Sequence, residues 1–377
     1  MKKILLIIFS LIPSLVFSGE KGLDKKIDEA FAPVSDFFSQ LVFFEILGYP
    51  FVILLLVGSA LFFTIFFGFP NFKYFLTAIK VVRGRFDDLD KKTTENKEGE
   101  VSHFQALATA VSGTVGNGNI AGVALAIALG GPGATFWMII CGLLGMSTKF
   151  VECTLGVHYR DVGEDGTVYG GPMYYLSKGL KIRGWEKLGK VSAILFALFC
   201  IGGSFGGGNA AQSNQATIVL KNLLGLETTF SGAIIGLVLA IFVGIIIIGG
   251  IKRIASVTEK IVPLMAALYI LACIYIILIN FSYVDDAISM IVNEAFKPSA
   301  LGVGGVIGVL MVGFKRAAFS NEAGAGSASI AHSAVKTKYS ASEGLVALLE
   351  PFIDTVVICT MTALVIVIFN MNGAFVY

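Results

Sequence analysis

The chain has 377 residues, of which 55% are hydrophobic and only 14% charged, and its mean hydropathy is +0.82. A soluble domain needs about 25% charged residues to cover its surface, so this composition excludes a soluble globular protein. The formal net charge of +2 gives no reason to expect a nucleic-acid partner.

The N-terminus reads MKKILLIIFSLIPSLVFSGEKG, with two lysines, an apolar run and small residues at Ser18 and Gly19. This pattern predicts a cleaved signal peptide over residues 1–18, with an uncleaved membrane anchor as the alternative. Either would place residues 19–41 in the periplasm, ahead of an extra transmembrane helix over 42–70.

Seven long apolar stretches follow, and most of them reach the roughly 20 residues that a helix needs to cross a bilayer. They run over 46–69, 104–149, 191–220, 228–251, 261–284, 298–314 and 355–377. The second holds two spans that meet at GGPG, so we predict an all-α integral membrane protein with eight transmembrane helices after the N-terminus. Transmembrane β-strands would be short and alternating, and these stretches are neither.

Loop charge predicts the orientation of these helices. The loops 70–103, 158–190 and 252–260 are rich in lysine and arginine, whereas the alternating loops carry almost none. By the positive-inside rule the basic loops are cytoplasmic, which predicts a multi-pass protein of the bacterial inner membrane.

The sequence GTVGNGNIAG, at 113–122, crowds glycine and asparagine into a predicted membrane span. Close helix packing through Gly118 and Gly122, spaced as GxxxG, is the simpler interpretation. Packing explains neither Gly116 nor the two asparagines, however, and a helix broken at membrane depth survives only beside a cavity or inside protein. We therefore predict two half-helices whose freed amides face an anion and whose freed carbonyls face a cation.

Two further polar stretches lie in predicted spans. SNEAGAGSAS, at 320–329, follows an apolar run just as the first stretch does, which predicts a second broken helix. GGGNAAQSNQ, at 206–215, carries four amides, and we expect Gln212 and Gln215 to line a cavity. Ordinary hydrogen bonding between helices is the alternative.

Ionisable residues at membrane depth are candidate functional groups. Lys149 and Glu152, spaced i and i+3, are predicted to pair with each other. Glu350 and Asp354 share a helix face and, with Glu322, form a possible charge relay that carries protons or helps to bind a cation.

Lys315 and Arg316 leave a purely structural alternative open for these three acids, because Glu322 or the other two could simply neutralise them.

Signals of other functions are weak. The chain has no GxxxxGK[ST], HExxH or GxSxG motif, and its three histidines are far apart in sequence, so we predict neither an ATP-driven pump nor an enzyme. The cysteines have no CxxC spacing and are predicted to be packing residues rather than metal ligands or disulfides. They are Cys141, Cys153, Cys200, Cys273 and Cys359.

The strings FQALATAVSGTVGNGNIAGVALAIALGGPGATFW, GGPMYYLSKGL, GGGNAAQSNQA and FKRAAFSNEAGAGSASIAHSAVK closely resemble the sodium:alanine (alanine/glycine:cation) symporter family, over about 48–369. The resemblance implies the amino-acid/polyamine/organocation superfamily and a leucine-transporter-like fold of two inverted five-helix repeats. The first repeat would be 101–283. The second, at 298–377, would hold only its first two helices and so be truncated.

The resemblance also implies the function and its residues. It implies import of alanine or glycine coupled to sodium entry, with a truncated, transport-inactive or ligand-binding-only member as the alternative. The implied substrate-binding residues are Thr114, Gly116, Gly118, Asn119, Gln212, Gln215, Phe319, Ser320 and Asn321. The implied sodium-binding residues are Val115, Gly116 and Asn119.

Overall fold

A computed structural model of the protein describes residues 23–46, 48–86, 99–226, 230–296 and 305–371. The signal peptide predicted over 1–18 lies outside the described residues. The chain divides by its contacts into two compact units, Met1–Leu55 and Leu56–Tyr377.

The first unit contains α1 (Leu23–Val42), a two-stranded antiparallel hairpin and the start of α2 (Phe51–Phe66). The hairpin pairs β1 (Glu45–Ile46) with β2 (Tyr49–Pro50). The described part of the predicted periplasmic segment is therefore mostly helical.

The second unit is helical along most of its described length. Its helices are α3 (Pro70–Lys73), α4 (Phe75–Val82), α5 (His103–Thr114), α6 (Ala121–Gly130), α7 (Gly133–His158), α8 (Pro172–Ile182), α9 (Glu186–Gly203), α10 (Ala211–Leu224), α11 (Ser231–Ile247), α12 (Gly250–Ile279), α13 (Val284–Phe296), α14 (Gly305–Asn321), α15 (Ala328–Ser333), α16 (Ser340–Ala347), α17 (Leu349–Pro351) and α18 (Thr360–Met371). A short hairpin of β3 (Asp161–Val162) and β4 (Val168–Tyr169) follows α7.

Helices of another geometry join some of these elements. A 3₁₀ turn lies at Asn117–Asn119 and another at Phe281–Tyr283. The π-helical segments Ser204–Ala210 and Phe352–Cys359 continue α9 into α10 and α17 into α18.

Several of these helices can cross a bilayer. Within the described ranges, four are long and apolar enough: Gly133–His158, Glu186–Leu224, Gly250–Ile279 and Ser340–Met371. The pair His103–Thr114 and Asn117–Gly130 forms a fifth if it is one span bent by 59°. The all-α membrane class is thus confirmed. Three of the eight predicted spans correspond to the shorter helices α2, α11 and α14, of 16, 17 and 17 residues.

Helix α7 lies at the centre of the second unit and packs against α13, α14, α15 and α16. Its buried small residues allow this close approach, because small side chains let helix backbones come together in membranes. At Gly145, for example, an added Cβ would lie 3.1 Å from the Ala323 Cβ. The central position of α7 brings both predicted break regions to one place.

The contact between α14 and α7 is tight enough to test. A Cβ added at Gly313 would lie 2.5 Å from the Ala134 carbonyl oxygen and 2.8 Å from the Trp137 Cβ. Overpacking of this kind costs about 1–3 kcal/mol, so Gly313→Ala should lower the free energy of unfolding in mixed micelles by that amount. Gly236→Ala is the matched control, since a Cβ there has no neighbour within 4 Å.

The control should stabilise α11 slightly, because alanine is about 0.5–1 kcal/mol better than glycine inside a helix. Equal free energies of unfolding for the two variants would contradict the close packing of α14 on α7.

Candidate functional site

The first predicted break is present in the structure. Helix α5 begins with a capping box, in which Ser102 accepts from the Gln105 amide at 3.2 Å, and it ends at Thr114. The backbone is extended at Val115, with ψ of 109°, and helix resumes as α6 only after the 3₁₀ turn. Glycine and asparagine are weak helix formers, which explains why the interruption falls here.

Asn119 organises this break. Its Oδ1 accepts a hydrogen bond from the Gly116 amide at 2.8 Å, which fixes which side-chain atom is oxygen. Its Nδ2 then lies 2.6 Å from Asp354 Oδ1, 3.2 Å from the Asp354 carbonyl oxygen and 3.3 Å from Ser320 Oγ. Asn119 therefore links the first break to the second broken span and to the last described span.

Asp354 is fully buried, with 0% of its surface exposed. Oδ1 accepts from Asn119, and Oδ2 accepts from the Thr355 hydroxyl at 2.7 Å. Both partners are neutral, and the ion pairs found among the described residues do not include Asp354. The Arg316 guanidinium interacts with this carboxylate electrostatically but forms no ion pair with it in the described contacts. A buried carboxylate without an ion-pair partner is costly in a membrane, so this position can accept a cation.

The second predicted break is also present. Helix α14 ends at Asn321, whose Nδ2 donates to Thr355 Oγ1 at 3.0 Å and whose Oδ1 accepts from the Ala323 amide at 3.0 Å. Glu322 has a φ of 52°, a conformation that costs about 1 kcal/mol or more for a residue with a Cβ. The left-handed backbone continues at Gly324 and Gly326, and helix resumes only at Ala328.

The glycines of the first break make room for a side chain as well as a turn. Arg316 of α14 donates to the Gly118 carbonyl oxygen, and its guanidinium lies where a Cβ at Gly122 would be. The GxxxG pair therefore accommodates Arg316 rather than a closely packed helix backbone.

Gln212, the predicted residue of the fourth span, reaches the first break. Its Oε1 accepts from the Asn117 amide at 3.2 Å, and Gly116 has room for it because a Cβ there would lie 3.3 Å from that oxygen. A side-chain oxygen of the fourth span thus accepts a hydrogen bond from a backbone amide of the first break. The preceding π-helical segment Ser204–Ala210, by contrast, is exposed throughout.

The structure brings most of the predicted residues together, but not all. Ser320 and Asn119 meet at Asp354, whereas the Thr114 hydroxyl donates back to its own helix, to the Val111 carbonyl at 3.4 Å. Gln215 is exposed, as is 67% of Phe319, which lies under the Arg316 guanidinium at 5.5 Å.

The partner predicted for the buried Lys149 is wrong. Lys149 donates to Glu350 Oε1 at 3.1 Å and not to Glu152, which instead accepts from the Gly324 amide at 3.1 Å. Glu322 accepts from the Ser327 hydroxyl and forms no ion pair with Arg316 in the described contacts. The i, i+3 spacing shows only that Lys149 and Glu152 are neighbours on one helix. Glu350 lies 201 residues from Lys149 in the sequence, so spacing could not identify it as the partner.

Sequence reasoning missed Thr355, which joins Asp354 to Asn321. The signal available was a threonine next to an acid inside an otherwise apolar span. Periodicity alone cannot show that its hydroxyl meets a break 34 residues earlier in the chain.

Comparison with known proteins finds the same family that the sequence motifs resemble. The profile of the sodium:alanine symporter family matches residues 35–374. The sodium/alanine symporter AgcS of Methanococcus maripaludis is 44% identical over 325 residues, which cover 86% of this chain and 69% of that protein.

Two bacterial relatives match similarly. An uncharacterized transporter of Haemophilus influenzae is 41% identical, covering 84% of this chain and 66% of that protein. The amino-acid carrier protein AlsT of Bacillus subtilis is 40% identical, covering 84% and 64%. The chain thus spans about two thirds of the length of these curated relatives, at 64–69%.

Proposed function

The chain belongs to the sodium:alanine symporter family, and from that premise we propose that it imports a small neutral amino acid, alanine or glycine, together with sodium. The observation that carries the proposal is the buried Asp354 carboxylate, whose hydrogen-bond donors among the described residues are neutral, at the meeting point of two interrupted helices. We place this multi-pass protein in the bacterial inner membrane, on the loop charges described above.

Sodium is the co-transported ion of this proposal, and Asp354 supplies the charge that attracts it. Hard cations take oxygen ligands, and Ser320 Oγ and the Asp354 carbonyl oxygen lie beside that carboxylate, around the same Asn119 amide. The Gly116 carbonyl, which accepts from the Asn119 backbone amide at 3.0 Å, and the Val115 carbonyl are the further candidate ligands. Interrupted helices commonly supply such carbonyls to a coupling ion in transporters.

The amino acid would bind along the non-helical backbone of the first break, at the half-buried residues Gly116 and Asn117. The amides of Gly116 and Asn117 donate to side-chain oxygens of Asn119 and Gln212 in this structure. Carboxylates are stronger acceptors than amide oxygens, so a substrate carboxylate can take over from Gln212. The glycines leave little volume for a larger ligand and favour alanine or glycine.

Proximity explains why the two solutes would move together. The proposed sodium ligands surround Asn119, and Asn119 also accepts from the Gly116 amide, one of the two proposed donors to the amino acid. Sodium bound at Asp354 would therefore stabilise the same break that binds the amino acid. The first five-helix repeat over 101–283, and the first two helices of an inverted second repeat over 298–377, are part of the same proposal.

Uptake into vesicles tests this function. The full chain, reconstituted into proteoliposomes, should accumulate labelled alanine when sodium is outside and not when choline replaces it. Sodium-dependent alanine binding without uptake would support the site but count against transport by this chain. The absence of both uptake and binding would overturn the proposal.

Asn119→Ala should weaken sodium-dependent alanine uptake. The change removes the acceptor of the Gly116 amide and a donor to Asp354. Unsatisfied buried polar groups cost about 1–3 kcal/mol each, so the half-saturating concentration should rise by about 5- to 100-fold. The measurement is initial-rate uptake over a range of alanine concentrations.

Asn293→Ala is the matched control, because Asn293 contacts only Ser289 on its own helix among the described contacts and is exposed. It should leave the half-saturating concentration unchanged. Equal behaviour of the two variants would remove Asn119 from the site.

A further inference from the structure

An exposed apolar surface runs past the end of α2. This helix is one of the predicted transmembrane spans, and near its end Phe62 and Phe66 are exposed, with their ring centroids 5.5 Å apart. Exposure continues beyond the helix end at Phe69, and then at Phe72 of α3 and Leu76 of α4, which are 64% and 69% exposed. A run of exposed apolar side chains marks a membrane or protein contact.

The opposite face of α3 and α4 is fixed against the protein. Asn71 is buried, and its Nδ2 donates to the Leu143 carbonyl oxygen of α7 at 3.0 Å. The centroid of the Phe75 ring lies 4.7 Å from that of the Phe352 ring, and Ala78 is fully buried. These contacts set the rotation of both helices, so their exposed face is held away from the protein.

Basic side chains continue this exposed face. The Tyr74 amide donates to the Pro70 carbonyl oxygen at 3.0 Å and the Ala78 amide to that of Tyr74 at 2.8 Å, so helical spacing carries from α3 into α4. Basic residues four and seven positions after Leu76 therefore share its face. The interfacial stripe, as we call this face, consists of the exposed residues Phe72, Lys73, Leu76, Lys80 and Arg83.

The charge of the interfacial stripe is positive. The sequence has no acidic residue between Glu45 and Asp87. The ion pairs found among the described residues include none of the three bases of the stripe. Asp87, Asp88 and Asp90 follow in the sequence and lie outside the described residues, so pairing with these acids is the competing role for the bases.

Apolar and basic side chains in this order match the chemistry of a phospholipid with an acidic headgroup. Apolar side chains insert at the boundary of the acyl chains, while lysine and arginine lie along it and keep their charge among the headgroups. The positive-inside rule places the loop 70–103 on the cytoplasmic face. Basic clusters directly cytoplasmic of a transmembrane helix attract acidic lipids.

We propose that the interfacial stripe binds acidic phospholipids of the cytoplasmic leaflet, such as phosphatidylglycerol. Phe72 and Leu76 lie among the acyl chains, and the three bases contact the headgroup phosphate. A soluble phosphate would engage the bases alone and leave the two apolar side chains in water, which is why the ligand is a lipid. The proposal goes beyond transport and depends only on the membrane placement of α2.

Tryptophan fluorescence tests the interfacial stripe in the full chain in bilayers. Phe72→Trp, combined with Trp137→Phe and Trp185→Phe, leaves one tryptophan, on the stripe. Brominated lipids quench tryptophan on contact, so brominated phosphatidylglycerol and brominated phosphatidylcholine, each mixed with ordinary phosphatidylcholine, give the ratio of their binding constants at this position. Phosphatidylglycerol should bind about fivefold or more tightly, because each base near an acidic headgroup contributes about that factor.

Neutralising the interfacial stripe should remove this preference. The combined substitutions Lys73→Gln, Lys80→Gln and Arg83→Gln should bring the ratio of binding constants to about one, because they remove the charges that attract the headgroup. The charge-retaining set Lys73→Arg, Lys80→Arg and Arg83→Lys should keep the preference.

A matched control removes the same charge from another exposed basic segment, around the turn between α8 and α9. It combines Lys181→Gln, Arg183→Gln and Lys187→Gln, and it should leave the ratio at the stripe unchanged. Salt provides a measurement that needs no charge variant. Raising it from about 0.05 to about 0.5 M should lower the ratio, since ions screen contacts between exposed charges.

Three results would overturn the proposal. Equal quenching by both lipids at low salt would show that the bases do not hold acidic headgroups, as their pairing with Asp87, Asp88 and Asp90 would produce. No quenching by either lipid would show that protein, such as a second copy of the chain, covers the stripe. Loss of the preference in the α8–α9 control would show a general effect of surface charge. Transport is not measured, so these outcomes stay separate from those of the uptake assay.

Discussion

Asp354→Asn should abolish sodium-dependent alanine uptake while leaving the protein folded. Asparagine keeps the shape of the side chain, and its Oδ1 can still accept from the Asn119 amide. It removes the negative charge that we propose pairs with the transported ion. Losing one partner of a buried charge pair costs about 3–5 kcal/mol, so sodium affinity should fall by more than about 100-fold.

The measurement is the sodium concentration that half-saturates alanine uptake or binding. Asp286→Asn provides the control, because Asp286 is an exposed acid in the first turn of α13. Sodium dependence that survives in Asp354→Asn, with folding intact, would show that the ion binds elsewhere.

Lys149→Met should destabilise the protein more than any other single substitution proposed above. It removes the ammonium that lies 3.1 Å from Glu350, and both side chains are 0% exposed. A buried carboxylate left without its partner costs about 3–5 kcal/mol. The free energy of unfolding in mixed micelles should fall by that amount.

The double variant Lys149→Met with Glu350→Gln should recover most of this loss, because replacing both members of a buried pair is often neutral. Lys187→Met, at an exposed position, should change the free energy of unfolding by less than about 0.5 kcal/mol. A single Lys149→Met variant as stable as this control would show that the pair contributes nothing measurable.

The helix breaks could be predicted from the sequence because their signal is local. Glycines and amides inside apolar runs, at 113–122 and 320–329, are incompatible with a continuous lipid-facing helix. The structure interrupts helix after Thr114 and after Asn321, within both stretches. Hydropathy likewise predicted apolar spans over α7, over α9 with α10, and over α12, which are three of the four long spans among the described residues.

The partners of the buried charges could not be predicted, because they are set by tertiary packing. His103 and His332 are far apart in sequence, which made them look like scattered boundary residues, yet both contact Glu343. Asp354 was grouped with Glu350 by helical spacing, although its carboxylate contacts Asn119, 235 residues away.

The fourth span shows that composition alone does not predict which polar residues line a cavity. Its four amides after three glycines predicted a cavity wall, but among the described contacts only Gln212 reaches the first break, and Gln215 is exposed. Composition identifies polar residues in a span, whereas the rotation of the helix decides which of them face inward. Here a π-helical segment, Ser204–Ala210, precedes Gln212 and changes that rotation.

The distance between a bound amino acid and the backbone of the first break tests the proposed site more directly than any variant. Solid-state NMR can report it from the carboxyl carbon of labelled alanine to the amide nitrogens of labelled glycine and asparagine, in the full chain with sodium present. We expect contacts within about 4 Å to the Gly116 and Asn117 amides, as hydrogen bonds of about 2.9 Å from nitrogen to oxygen require. These contacts should vanish without sodium. Alanine that binds with sodium but lies far from both amides would contradict substrate binding at the broken helix.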